Sequence, residues 1–139
     1  MSKPGEKSGE IVVTLPGGRR VDAALGGHVI HTDQPPELGG DGTAPTPFSL
    51  FLASMGTCAG IFVQGFCAKR GIPFDGIRII ERPELDADGV LKGVDFEIEL
   101  PPGFPEKYRD AVVRVAEQCS VKRAIQEQPE LRVHATPLA

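Results

Sequence analysis

The sequence contains no tryptophan and no asparagine. The missing asparagine matches chains depleted in thermolabile residues. A basic excess is also lacking: 15 Lys and Arg stand against 19 Asp and Glu, for a net charge of −4. That balance argues against a nucleic-acid binder and against a polybasic membrane-surface protein. No GxSxG elbow, P-loop, GxGxxG fingerprint or HExxH helix occurs. Serine hydrolase, NTPase, dehydrogenase and metalloprotease readings therefore have no motif behind them. Cysteine is scarce, with three residues: Cys58, Cys67 and Cys119. No two are spaced as CxxC and the histidines (His28, His31, His134) are scattered, so no metal site is expected. Met1 to Glu10 is polar and mixed in charge, unlike a signal peptide. The expected compartment is a reducing cytoplasm. Cysteines there are catalytic, metal-binding or inert core residues more often than structural disulfides.

What is present is an ordinary globular composition, with 40% hydrophobic and 24% charged residues in 139 positions, one domain's worth. Glycine (17) and proline (13) are abundant and call for many turns and short elements. Residues 1–9 read as a flexible polar tail, and 10–139 as a single domain. Glu10–Leu15, Arg19–Leu25 and His28–Thr32 read as three strands of an antiparallel meander, punctuated by Pro16-Gly17-Gly18 and Gly26-Gly27. Asp33–Pro47 holds four prolines and three glycines and reads as a long loop. A helix follows. Gly76–Glu84 and Val90–Leu100 read as two strands joined by the turn Asp86-Ala87-Asp88-Gly89. Pro105 opens a helix to about Gln118. Ser120 is placed to cap a short helix, Val121–Gln128. Leu131–Thr136 reads as a last strand. The order is βββ-α-ββ-αα-β, an α+β fold.

Phe48 to Ala68 carries no charged residue and ends at Lys69-Arg70-Gly71, a cationic last turn with a glycine stop. Its length would suffice to cross a bilayer. Ser49, Ser54, Thr57 and Gln64, with Gly56, Gly60 and Gly65, dilute that reading in favour of a core helix covered nearly all round. Gly56 and Gly60 form a small-xxx-small pair that admits a second backbone. So short a chain has little material to cover such a helix, and a second copy is the simplest cover. An intimate homodimer is expected.

Cys58 lies mid-helix, flanked by Gly56 and Gly60, and its own helix offers no terminus to favour a thiolate. Cys67, nine residues on, falls about half a turn away on the opposite face. Its expected fate is the core. Cys119 precedes Ser120-Val121-Lys122-Arg123, where a helix N-terminus and two cations would favour its thiolate. For Cys58 and Cys119, composition leaves both readings open, buried hydrophobe or functional thiol.

Two stretches resemble the OsmC/Ohr family, the osmotically induced protein C and organic hydroperoxide resistance proteins. One is Asp33-Gln34-Pro35-Pro36-Glu37-Leu38-Gly39-Gly40, then Pro45-Thr46-Pro47 and Leu50-Phe51-Leu52-Ala53-Ser54-Met55-Gly56-Thr57-Cys58. The other is Ala116-Glu117-Gln118-Cys119-Ser120-Val121-Lys122-Arg123, similar to a Cys-Pro-Val-His-Arg motif with departures at Ser120 and Lys122. The resemblance covers about residues 10–136. It implies an intertwined α+β homodimer, with antiparallel strands of both chains wrapped around two central helices. It further implies a thiol peroxidase with Cys58 peroxidatic and Cys119 resolving. The substrate would be an organic hydroperoxide and the reductant an external thiol or dithiol, with no metal or other cofactor. Gly17-Gly18-Arg19 matches a Gly-Gly-Arg pattern of the hydroperoxide-resistance branch. Arg19 is thereby implicated in thiolate stabilisation, with Arg20 as the fallback. That branch has a glutamate ten residues before the first cysteine, where this chain has Phe48. The rival reading is a non-enzymatic redox-sensing or small hydrophobic ligand-binding dimer of the same fold.

Overall fold

The computed structural model describes residues 9–138. The chain forms two compact units, one ending at Phe51 and the other starting at Leu52.

In the first unit β1 (Val12–Gly17), β2 (Arg20–Leu25) and β3 (His28–Thr32) form an antiparallel sheet in sequence order. Gly26 and Gly27, at φ 53° and 80°, make the two-residue turn that lets Leu25 face His28. Positive φ at both positions suits the right-handed twist of the flanking strands, and glycine adopts it without steric cost. Ladder pairing places Asp22 opposite His31, and His31 Nδ1 lies 2.9 Å from Asp22 Oδ1.

The following loop is built on Asp33, which is buried. Its Oδ1 accepts the Gln34 N–H at 2.7 Å. Its Oδ2 accepts the Thr43 hydroxyl at 2.7 Å and the Thr43 N–H at 3.1 Å. These donors, the Thr43 hydroxyl foremost, hold the carboxyl at about 2 against the opposing effect of burial. Within the loop, Pro36–Leu38 turns as a short 3-10 helix that the proline and glycine count does not reveal. A β-carbon at Gly40 would overlap the Gln34 carbonyl, so this turn closes only on glycine.

α1 (Pro47–Lys69) ends as its sequence requires. Gly71 sits at φ 64°, the Ile72 N–H bonds the Cys67 carbonyl at 3.0 Å and the Gly71 N–H bonds that of Ala68 at 3.3 Å. This is the paired bonding of a left-handed glycine cap.

In the second unit β4 (Arg78–Leu85) and β5 (Leu91–Glu99) form an antiparallel hairpin. Asp86 Oδ1 accepts the Asp88 and Val90 N–H groups and stabilises its turn. α2 (Arg109–Ala116) and α3 (Ser120–Gln126) complete the unit. Its core joins Ala59, Val63 and Cys67 of α1 to Ile72 and to Val112 and Ala116 of α2. Cys67 is fully buried there, as its place on the helix requires.

Within this single chain α1 buries one stripe, Met55, Ala59, Val63 and Cys67, and three other expectations need correction. Ile61 stays 68% exposed, because one hairpin and α2 cover one side of a helix. The small residues Gly56 and Gly60 receive side chains of β4 rather than a backbone: Glu81 and Ile79 lie against them. Cys119, not Ser120, occupies the N-cap of α3. Leu131–Thr136 forms no strand among the described residues. A strand needs an edge to pair with, and here Leu131 is 87% and Val133 97% exposed.

Candidate functional site: a paired thiol

Cys58 comes from the middle of α1 and Cys119 from the N-cap of α3, and the fold sets the two side chains close enough to act on one another. Cys58 is half-buried, whereas Cys119 is fully buried, with its Sγ 3.8 Å from the Met55 carbonyl oxygen. Both are reduced.

The pair is electrostatically unequal. The Cys58 thiol is pushed down, first by the neighbouring Cys119 side chain and then by the Val121 N–H. The Ser120 N–H and the Lys122 charge add to this, against burial. The Cys119 thiol is pushed up, first by burial and then by the neighbouring Cys58 side chain. The helix N-terminus expected to act on Cys119 does so through the Lys122 and Val121 N–H groups, where burial outweighs it, and it acts on Cys58 as well. The first N–H groups of a helix have no intrahelical acceptor and point at whatever anion lies before them. α1 supplies no such field to its own middle, but α3 supplies one across space. Cys67 is pushed up by burial, with Arg70 opposing.

Arg19 lies in the β1–β2 turn and Arg20 opens β2, both exposed in the first unit. The Arg19 stem runs beside Gly39 of the loop. Phe48, in the first turn of α1, stacks on Phe51 with ring centroids 6.0 Å apart.

Two contributors escape sequence reasoning. The N–H groups of Ser120 and Val121 carry no side-chain signature. Glu81 reads as an ordinary strand charge, yet it points to the covered side of β4. Burial pushes its carboxyl up, with Lys122 opposing. It lines a cavity of about 590 Å³ with Ala53, Gly56, Gly60 and Gln64 of α1 and Ile77 and Ile79. Among the described residues, no cluster of three or more His, Cys, Asp or Glu side chains could hold a metal ion.

An α+β domain with a long central helix and a cysteine pair is the class that fold and site define. The family described as OsmC-like protein matches residues 40–134, and the chain belongs to it. No curated protein matches it in sequence. Several solved structures share the fold. A Psychrobacter arcticus protein described as an osmotic stress induced and detoxification response protein is similar with TM-score 0.72 and 21% identity, over 89% of this chain and 91% of that one. An organic hydroperoxide resistance protein of Legionella pneumophila is similar with TM-score 0.54 and 24% identity, over 87% and 92%. The organic hydroperoxide resistance protein OhrB of Bacillus subtilis is similar with TM-score 0.55 and 23% identity, over 86% and 92%.

Proposed function

We propose that the protein is a thiol peroxidase that reduces organic hydroperoxides through Cys58 and Cys119. The observation that carries this reading is the inequality of the pair: a half-buried sulfur held toward thiolate, with a buried thiol in reach. The names of the hydroperoxide-resistance relatives support the substrate class. In the first step the Cys58 thiolate attacks the terminal oxygen of R–O–OH. An S–O bond forms, the O–O bond breaks, and the departing alkoxide takes a proton to leave as the alcohol. Cys58 is then a sulfenic acid, oxidised by two electrons. Next the Cys119 sulfur attacks the Cys58 sulfur. The S–S bond forms and the hydroxyl leaves as water with the Cys119 proton. An external dithiol restores both thiols by two exchanges and is itself oxidised to a disulfide.

Arg19 is the further residue proposed to favour the thiolate, with Arg20 as fallback. Phe48 makes the start of α1 apolar, which suits a bulky organic hydroperoxide over hydrogen peroxide. The working form is proposed to be a homodimer in the cytoplasm, its antiparallel strands wrapped around two central helices and residues 10–139 acting as one domain. The exposed apolar side chains of α1 and of residues 131–133 support a second copy as their cover.

The rival reading, a redox-sensing or ligand-binding dimer, draws on the largely apolar cavity lined by Glu81. Turnover decides between them. Wild type should consume an alkyl hydroperoxide with a dithiol reductant. Cys58→Ser should abolish this, and Cys119→Ser should trap the sulfenic acid. Oxidation by one equivalent without turnover would favour the sensing dimer.

A further inference from the structure

Lys122 is the third residue of α3, the helix that Cys119 caps. Its ammonium lies 4.0 Å over the Phe96 ring on β5. Phe96 is paired with Glu81 across the β4–β5 ladder, so the two side chains share one face of the hairpin. Glu81 in turn rests on the backbone of α1: a β-carbon at Gly56 would come within 2.7 Å of Glu81 Oε2. Gly56 is two positions before Cys58. Lys122 is thus tied to the Cys119 end of α3 by its backbone and to the Glu81 face of the hairpin by the ring it covers.

That carboxyl has little else to hold it. Among the described residues Glu81 Oε1 is buried without a hydrogen-bond partner. A buried carboxylate is costly unless a cation offsets it. Other charges of the hairpin are engaged with one another, Lys92 with Asp86 of the turn among them. Arg82 bridges Asp95 and Glu97, and Arg78 bridges Glu99. The groups that act on Cys58 are Cys119, the Ser120 and Val121 N–H groups, and Lys122. The charge that acts on Glu81 is Lys122 again.

We propose that Lys122 and Glu81 are opposed positioning residues for Cys58: the Lys122 ammonium favours the thiolate, and ionised Glu81 competes for that ammonium. The inference rests on the reading of Cys58 as the reacting thiol. One cation shared by two anions stabilises each less than it would stabilise either alone. The glycine at 56 is what lets the carboxyl lie this close to the helix that carries the thiol.

The test is the rate of iodoacetamide alkylation of Cys58 against pH, read on the Cys58 peptide by mass so that Cys67 and Cys119 do not contribute. No peroxide enters, so its outcome is independent of turnover. Lys122→Gln should raise the alkylation midpoint and slow the reaction about threefold at neutral pH. Lys122→Arg should restore the wild-type profile. Glu81→Gln should do the reverse, lowering the midpoint and speeding the reaction. In the double variant the Glu81→Gln effect should shrink, because the cation it competed for is gone. General loosening of the fold moves the midpoint up toward the free-thiol value, so a lowered midpoint in Glu81→Gln remains decisive even if Lys122→Gln folds poorly. Unchanged midpoints in both single variants, or a raised midpoint in Glu81→Gln, would overturn the proposal. Midpoints that move as stated in a protein without peroxide turnover would keep the positioning pair and remove the peroxidase.

Discussion

Asp33, Cys58 and Glu81 are each tuned by groups contributed from elsewhere in the chain. Cys58 is drawn toward thiolate by Cys119 and by the first N–H groups of α3. The two cysteine positions were legible in the sequence through their motifs. The field on Cys58 was not, because periodicity places a residue on its own helix and is silent about which other helix end faces it. Glu81 was hidden for a similar reason. Strand alternation gives the face, but only tertiary packing brings that face onto Gly56. Asp33 offers a test at this scale. Its folded value of about 2 lies below the ordinary 3.8, so the carboxylate contributes stability above pH 4. That contribution should fade as the pH falls from about 4 through 2. Urea midpoints measured across this range should fall for wild type. Asp33→Asn should start lower and change less, since an amide turns a donor toward the Gln34 or Thr43 donors. A parallel pH profile in the two proteins would remove Asp33 from the account.

Among the elements, α1 shows best what sequence could and could not give. Its uncharged run and its stop at Gly71 were both readable, and the stop is built as the residues demand. An added β-carbon at Gly71 meets no atom within 4 Å, so Gly71→Ala carries only the cost of its backbone conformation at φ 64°. It should cost about 1–2 kcal/mol, lowering the urea midpoint with an unchanged slope. How much of the helix is covered could not be read, because an uncharged run does not say what covers it. The sheet strands and their turns were readable from glycine placement and alternation. The expected strand at 131–136 failed because alternation alone does not supply an edge.

For the whole molecule, the exposed apolar surface argues for a second copy. Ile61 on α1 and Leu131 and Val133 near the C-terminus are exposed apolar side chains that the proposed second copy would cover. Light scattering should give the mass of a dimer, and Ile61→Lys should shift it toward monomer; a folded wild-type monomer would refute that assembly. The chemical claim at the centre of the account is that one hydroperoxide molecule links Cys58 to Cys119. Peptide mass mapping after one equivalent of an organic hydroperoxide tests it most directly. The expected product is a Cys58–Cys119 disulfide that a dithiol reverses, with Cys67 unmodified. A protein left unoxidised, or a bond joining Cys58 to Cys67, would contradict it.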